Sequence, residues 1–166
     1  IRAMKRVVQQ TRRKIMLVNV GPYYLSETNK KYYERVLALA QECGIADRVR
    51  ILDRGVSFED MAVLYQNAIG LVFPSYLEGF GFPAVESLAC GTPCVLARAT
   101  SLPEMVGEWG ILVDPHNEEE IADGMLRLLN DEPYRAKIRE QGPVWAQRFS
   151  LETMAKKYMK LYQSLA

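Results

Sequence analysis

The chain has 166 residues, 49% hydrophobic and 25% charged, with a formal net charge of +1. That is the composition of a globular domain with a full core, and it excludes collagen-like and disordered chains. Near-neutrality argues against the broad basic surface of a nucleic-acid binder, and no run approaches the roughly 18 apolar residues of a membrane span.

Apolar residues at helical spacing (Ile1, Met4, Val7, Val8) predict a first helix. A strand over Ile15–Val20 ends at Gly21, and a long helix is expected from Thr28 to Cys43, with Tyr32, Val36, Leu37, Leu39 and Ala40 near one face. Val49–Leu52 reads as the next strand, and Ser57 as the cap of a helix running to about Gln66. Ile69–Phe73 is a buried strand, Phe82–Cys90 a helix stopped by Gly91, and Pro93–Ala97 a strand. Ser101-Leu102-Pro103-Glu104 has the pattern of a capping box on a short helix. Ile111–Val113 is a strand, and Asn117 caps a helix that ends near Leu129. Two more helices are expected at about Pro133–Arg148 and Leu151–Leu165. Short apolar strands alternating with helices predict an α/β domain, a doubly wound parallel sheet of Rossmann-like type spanning 1–166. Ligands of such sheets bind beyond the carboxyl ends of the strands. The 52–56, 74–83 and 97–103 loops should converge there.

Cys43, Cys90 and Cys94 are odd in number and lack zinc-like spacing, so they read as reduced, buried thiols of a cytoplasmic protein. His116 is a lone loop histidine, read as structural or exposed. No metal site is expected, and no signal-peptide pattern opens the sequence.

The most informative stretch runs from Pro74 to Glu86. Glu78 and Glu86 flank Gly79, Gly81 and Pro83. Glycines allow close backbone approach to a ligand, and Pro83 suits the first turn of a helix. The free N–H groups of that turn favour a phosphate. Candidate donors are Phe80, Gly81, Phe82 and Ala84; Pro83 has none to give. With Phe82, Val85, Leu88 and Ala89 taken as the inward face, Glu86 falls on its flank, suited to a ribose diol. Glu78 lies beyond the phosphates, within reach of further hydroxyls. Phosphate between and hydroxyls at both ends outline a nucleotide sugar. Acids near helix N-termini also occur with no ligand at all.

This segment resembles the E-x7-E signature of the retaining group 1 glycosyltransferases, family 4, which have the two-domain GT-B fold. The resemblance continues through Ala89-Cys90-Gly91-Thr92-Pro93-Cys94-Val95, Ser101-Leu102-Pro103-Glu104-Met105-Val106-Gly107 and Gly110-Ile111-Leu112-Val113-Asp114-Pro115. It implies a C-terminal, donor-binding half that takes part in transfer of a hexosyl group from a nucleotide-diphosphate sugar with retention of configuration. Glu78 would be the catalytic group at the donor sugar. Gly79, Phe80, Gly81, Phe82, Ala84 and Glu86 would bind the donor. The nucleotide base would lie against Leu52, Arg54 and Gly55, with Tyr65 nearby. No tightly bound cofactor or metal is implied. The acceptor would be a glycan, lipid or small molecule, and the serine-containing 101–104 variant leans toward mannose.

In the family the donor domain opens with a strand and a loop whose Arg and Lys contact the diphosphate. Neither has a match, and the acceptor-binding N-terminal domain has none either. The expectation is a partner domain of the same enzyme, through which the protein would reach the cytosolic face of a membrane, and a fragment inactive by itself. A first strand would lie between Ile15–Val20 and Ile69–Phe73, so those two should not pair with each other. Two rival readings are a sugar-nucleotide epimerase of the same fold, which would show more acid/base groups than His116, and a non-catalytic nucleotide-sugar-binding module.

Overall fold

The computed structural model describes residues 1–21, 26–53 and 56–165. In chain order their elements are α1 (Arg2–Gln10), β1 (Leu17–Val20), α2 (Glu27–Glu42), β2 (Val49–Leu52), α3 (Phe58–Asn67), β3 (Leu71–Phe73), α4 (Phe82–Ala89), β4 (Cys94–Ala97), α5 (Leu102–Val106), β5 (Gly110–Val113), α6 (Glu118–Asn130), α7 (Glu132–Ala146) and α8 (Leu151–Leu165). Each predicted element is present, with ends shifted by one or two residues. Five helices start where a side chain caps them: Ser26 accepts from the Asn29 N–H, Ser57 from Asp60, Asn117 from Glu119 and Glu120, Asp131 from Tyr134, and Ser150 from Thr153.

All strand pairs are parallel. Leu17 lies opposite Val49 in one ladder; Leu71 lies opposite Cys94, and Cys94 opposite Gly110, in the other. Among the described residues β1 and β3 do not pair with each other, so the sheet stands in two parts, β2–β1 and β3–β4–β5.

β4 is completely buried and shows why the molecule has two cores. Its alternate side chains point to opposite faces. Val95 joins Met4 and Val7 of α1, Val49, Val113, and Ile121 and Leu128 of α6. Cys94 and Leu96 join Ala84 and Leu88 of α4, Leu102 and Val106 of α5, and Ile138 of α7. Val7, Leu88, Leu96 and Ile138 are 0% exposed, and burying each contributes about 1.5–3 kcal/mol. Cys94 sits in this apolar layer, where burial pushes its thiol up to about 12; Cys43 and Cys90 are only half-buried, against the expectation for all three.

Two helix contacts orient the carboxyl edge of the sheet. α1 runs beside α6, with Arg2 3.0 Å from Glu118 and Arg6 2.8 Å from Glu119 at the start of α6. These exposed pairs add little stability, but they place the start of α1 at the carboxyl edge of the strands. α7 lies directly on α4: a Cβ at Gly142 would stand 2.9 Å from the Leu88 carbonyl, so only glycine permits the approach.

Candidate functional site at the carboxyl edge

After β3 the chain turns through residues 74–81 and enters α4. Gly81 precedes the helix with φ +93°, and a Cβ there would lie 2.6 Å from Leu102 Cδ2. Glycine is required at this point both by conformation and by space. Gly79 has open space around the position of a Cβ. Among the described residues the N–H groups of Gly79, Phe80 and Gly81 have no hydrogen-bond acceptor. They stand at the positive end of the α4 dipole, suited to an anion.

Two expectations about α4 need correction. The Ala84 N–H donates to the Gly81 carbonyl at 3.0 Å, and the Ala84 side chain is fully buried. Ala84 is therefore the floor of the helix start, with its N–H turned back on the chain rather than offered to a ligand. The inward face is Ala84, Ser87 and Leu88, not one that includes Phe82 and Ala89. Phe82 is 64% exposed; α7, pressed against α4, selects the small-residue face that lets helices approach. Phe80 turns inward instead, 4.6 Å from the Phe82 ring and edge-on to Phe149 at 6.0 Å.

The 74–81 loop is sewn to the loop after β4. The Glu78 N–H donates to Thr100 Oγ1 at 3.1 Å. Ser101 Oγ lies 3.1 Å from the Glu78 carbonyl and 3.0 Å from the Phe80 carbonyl, sharing its single hydrogen between them. The capping-box expectation for Ser101 thus fails: its hydroxyl makes no cap bond to α5 and serves the neighbouring loop. Thr100 is the only non-glycine with positive φ among the described residues, at 50°. A side chain held in that region costs about 1–3 kcal/mol and collects at functional loops.

Glu86 is exposed on the other flank of α4, and the Tyr65 hydroxyl of α3 donates to its Oε2 at 3.3 Å. Burial, then the Glu86 charge and this hydrogen bond, hold the Tyr65 phenol above its ordinary range, so it stays a donor at neutral pH. Cys90, one turn on, is raised by burial and then by Glu86. Thr92 Oγ1 donates to the Tyr65 carbonyl at 2.6 Å, and Ser87 Oγ to the Thr92 carbonyl at 2.8 Å, fixing α3, α4 and the entry to β4 together. Tyr65, expected near the base, is half-buried and holds the Glu86 carboxylate.

The loop after β5 reaches the same edge, where Tyr76 stacks on His116 at 4.6 Å between ring centres. Leu52 ends β2, its carbonyl accepting from the Gly21 N–H at 3.3 Å. Arg54 and Gly55 lie outside the described residues. No group of three or more His, Cys, Asp and Glu suited to a metal occurs among the described residues. A cavity of about 640 Å³ lies at the opposite edge, near Ile69 and Pro93. Its arginines are already engaged: Arg13 with the Leu129 carbonyl, Arg135 with the Leu128 carbonyl and Glu132, and Arg139 with Glu132. Glu78 and Glu86 instead lie on either side, along the chain, of the N–H groups at the start of α4 that have no acceptor.

The family model described as "Glycosyl transferases group 1" matches residues 1–145. The O-antigen chain mannosyltransferase B of Escherichia coli is 37% identical over 107 residues, 64% of this chain and 28% of the relative. The D-inositol 3-phosphate glycosyltransferase of Corynebacterium diphtheriae is 38% identical over 148 residues, 88% of this chain and 34% of the relative. The chain thus spans about a third of the length of these relatives. Among solved structures, sucrose-phosphate synthase from Thermosynechococcus elongatus superposes with a TM-score of 0.80 at 30% identity, over 99% of this chain and 41% of that one. Anabaena Alr3699/HepE, solved in complex with UDP-glucose, gives 0.82 at 23% identity, over 98% and 44%, a likeness of fold. No helix among the described residues is long and apolar enough to cross a membrane.

Proposed function

The chain belongs to the group 1 glycosyl transferases, and we propose that it is the donor-binding half of an enzyme that moves a hexosyl group from a nucleotide-diphosphate sugar to an acceptor with retention of configuration. One observation carries the reading: two carboxylates, Glu78 and Glu86, flank the unpartnered N–H groups of Gly79, Phe80 and Gly81 at the start of α4. An anion fits between the carboxylates, and hydroxyl groups fit at each of them.

In this reading Glu86, its carboxylate held by Tyr65, accepts hydrogen bonds from the ribose hydroxyls. The diphosphate lies along the free N–H groups. As the bond from the anomeric carbon to phosphate oxygen breaks, charge grows on the diphosphate, and each donor in a dry site lowers the barrier by about 2–4 kcal/mol. Glu78 orients the sugar and offsets the positive charge at the anomeric carbon. The acceptor oxygen bonds that carbon on the face the diphosphate leaves, and its proton passes to the departing phosphate oxygen. The acceptor site belongs to a second domain. Two of the relatives carry mannosyltransferase names and one fold neighbour was solved with UDP-glucose, so mannose and glucose donors are the first to try.

Calorimetry of the chain with uridine and guanosine diphosphates tests the reading. One of them should bind, and Glu86→Ala should weaken it by about 1–3 kcal/mol, the value of a hydrogen bond to a charged group. The 2′,3′-dideoxy nucleotide should lose little further in that variant. Absence of binding by both diphosphates, or a full dideoxy penalty in Glu86→Ala, would overturn it.

A further inference from the structure

We propose that Ser101 is a positioning residue for the N–H row at the start of α4, the row that in the reading above receives a diphosphate. Its hydroxyl grips the carbonyl ends of two peptide groups and so aims and polarises their N–H ends, which belong to Gly79 and Gly81. The Glu78 carbonyl is 3.1 Å from Ser101 Oγ and the Phe80 carbonyl 3.0 Å. Each of these carbonyls shares a peptide group with the N–H of the residue that follows it. The described peptide bonds are all trans, and in a planar trans peptide the C=O and the N–H point in opposite directions. Two carbonyls drawn to one hydroxyl therefore turn the Gly79 and Gly81 N–H groups away from it. Among the described residues neither N–H has an acceptor.

These two peptide groups need a clamp. Each is followed by a glycine, and glycine tolerates backbone angles that other residues avoid, so a peptide group beside it turns over at little cost. Turned over, it would offer an anion a carbonyl oxygen in place of an N–H. A hydrogen bond to the carbonyl opposes that turn. It also draws electron density through the amide and makes the N–H at the other end a stronger donor. The peptide group between Gly79 and Phe80 is the internal contrast: among the described residues its carbonyl accepts no hydrogen bond.

The clamp stands on a fixed base. The Ser101 carbonyl accepts from the N–H groups of Glu104 and Met105 at 3.0 and 3.1 Å, which ties its backbone to the first turn of α5. Leu102, Met105 and Val106 anchor that helix in the core. Thr100, just before it, takes the Glu78 N–H at 3.1 Å and holds φ at +50°. Two successive hydroxyls thus grip one loop, Thr100 at the N–H of Glu78 and Ser101 at the carbonyls of Glu78 and Phe80. Strain at Thr100 is the kind that persists where the surrounding structure over-determines a functional loop. Ser101 itself touches no ligand; it acts through the two peptide groups.

Ser101→Ala deletes the hydroxyl and leaves the backbone of α5. In NMR spectra of the ligand-free chain, the Gly79 and Gly81 amide signals should move and that of Phe80 should move far less. Affinity for inorganic pyrophosphate should fall about 10-fold, as expected when hydrogen bonds to a charged group are weakened, while affinity for free uridine or guanosine stays the same. Ser101→Thr, which keeps a hydroxyl, should restore both the signals and the affinity. A loop that merely loosens would shift all three amides alike, or weaken nucleoside and pyrophosphate together, and either result overturns the proposal. So does a Ser101→Thr variant as weak as Ser101→Ala. Should Ser101→Ala fail to fold, Ser101→Gly makes the same deletion and the same signals decide. If the parent chain binds no pyrophosphate, the diphosphate reading falls, and the ligand-free amide signals still show whether Ser101 sets the two N–H groups.

Discussion

The Tyr65 phenol donates to the Glu86 carboxylate across 3.3 Å, and this bond joins α3 to α4. Glu86 is exposed, so without Tyr65 its side chain would sample several rotamers. Tyr65→Phe removes the tether and leaves the ring. The Kd for a nucleoside diphosphate should rise about 3- to 10-fold, the range of a single hydrogen bond. In a Glu86→Ala background the same change should have no further effect, because there is no carboxylate to hold. A loss of equal size in both backgrounds would show that Tyr65 acts by another route.

The same phenol predicts an alkaline limit to stability. Tyr65 and Tyr134 are both raised, each by burial first, with Glu86 adding at Tyr65 and Cys94 at Tyr134. In the unfolded chain both ionise near the ordinary tyrosine value of about 10. A pKa raised on folding gives stability that is fully present below the unfolded value and is lost as pH climbs past it. Urea midpoints should therefore fall above about pH 10, less steeply in Tyr65→Phe and Tyr134→Phe and least in the pair. An unchanged slope in the double variant would refute the assignment.

Gly79 and Gly81 should separate binding from folding. Alanine at Gly81 must hold φ +93° and push on Leu102; a loss of about 1–3 kcal/mol in chemical denaturation is expected. Alanine at Gly79 enters open space, so stability should stay within about 0.5 kcal/mol. Its methyl would instead stand where the diphosphate is proposed to approach the N–H row, and nucleotide affinity should drop. If Gly79→Ala binds as the parent does, the phosphate path lies elsewhere.

Glu78→Gln should lower turnover far more than it lowers affinity for the nucleoside diphosphate, measured in the enzyme with its acceptor-binding half. The proposed contact is with the sugar and strengthens as charge develops, so it acts on the transition state more than on the bound product. Parallel losses in rate and affinity would assign Glu78 to holding the loop. Its main-chain bonds to Thr100 and Ser101, which the substitution leaves in place, make that outcome distinguishable.

Apolar periodicity and caps were enough to read the strands and helices, because Ser57, Asn117 and Gly91 mark boundaries by local chemistry. What the chain could not reveal depended on neighbours. Phe82 looked inward on helical spacing alone, but α7 comes so close that small residues take the inward face. Ser101 carried a capping pattern, yet its hydroxyl goes to the carbonyls of Glu78 and Phe80 and makes no bond to its own helix. Thr100 drew no notice, since neither its backbone conformation nor its partner is local. One signal was present: Phe73 lies opposite Leu96 in the parallel ladder, so residues beyond each strand by similar lengths meet at the edge, as Glu78 and Ser101 do.

Glu86 stands on a helix whose backbone touches that of α7 at Gly142, with no side chain between them to absorb a shift. A helix gripped in this way cannot tilt or slide when a ligand arrives. The proposed nucleoside end of the site is therefore an anvil, set before binding. In the proposed reading, any tightening around a donor falls to the facing loop, where Tyr76 and Leu77 are exposed and the anchors are the bonds to Thr100 and Ser101. Donors should accordingly be captured by their nucleoside first, and the sugar gripped only afterwards.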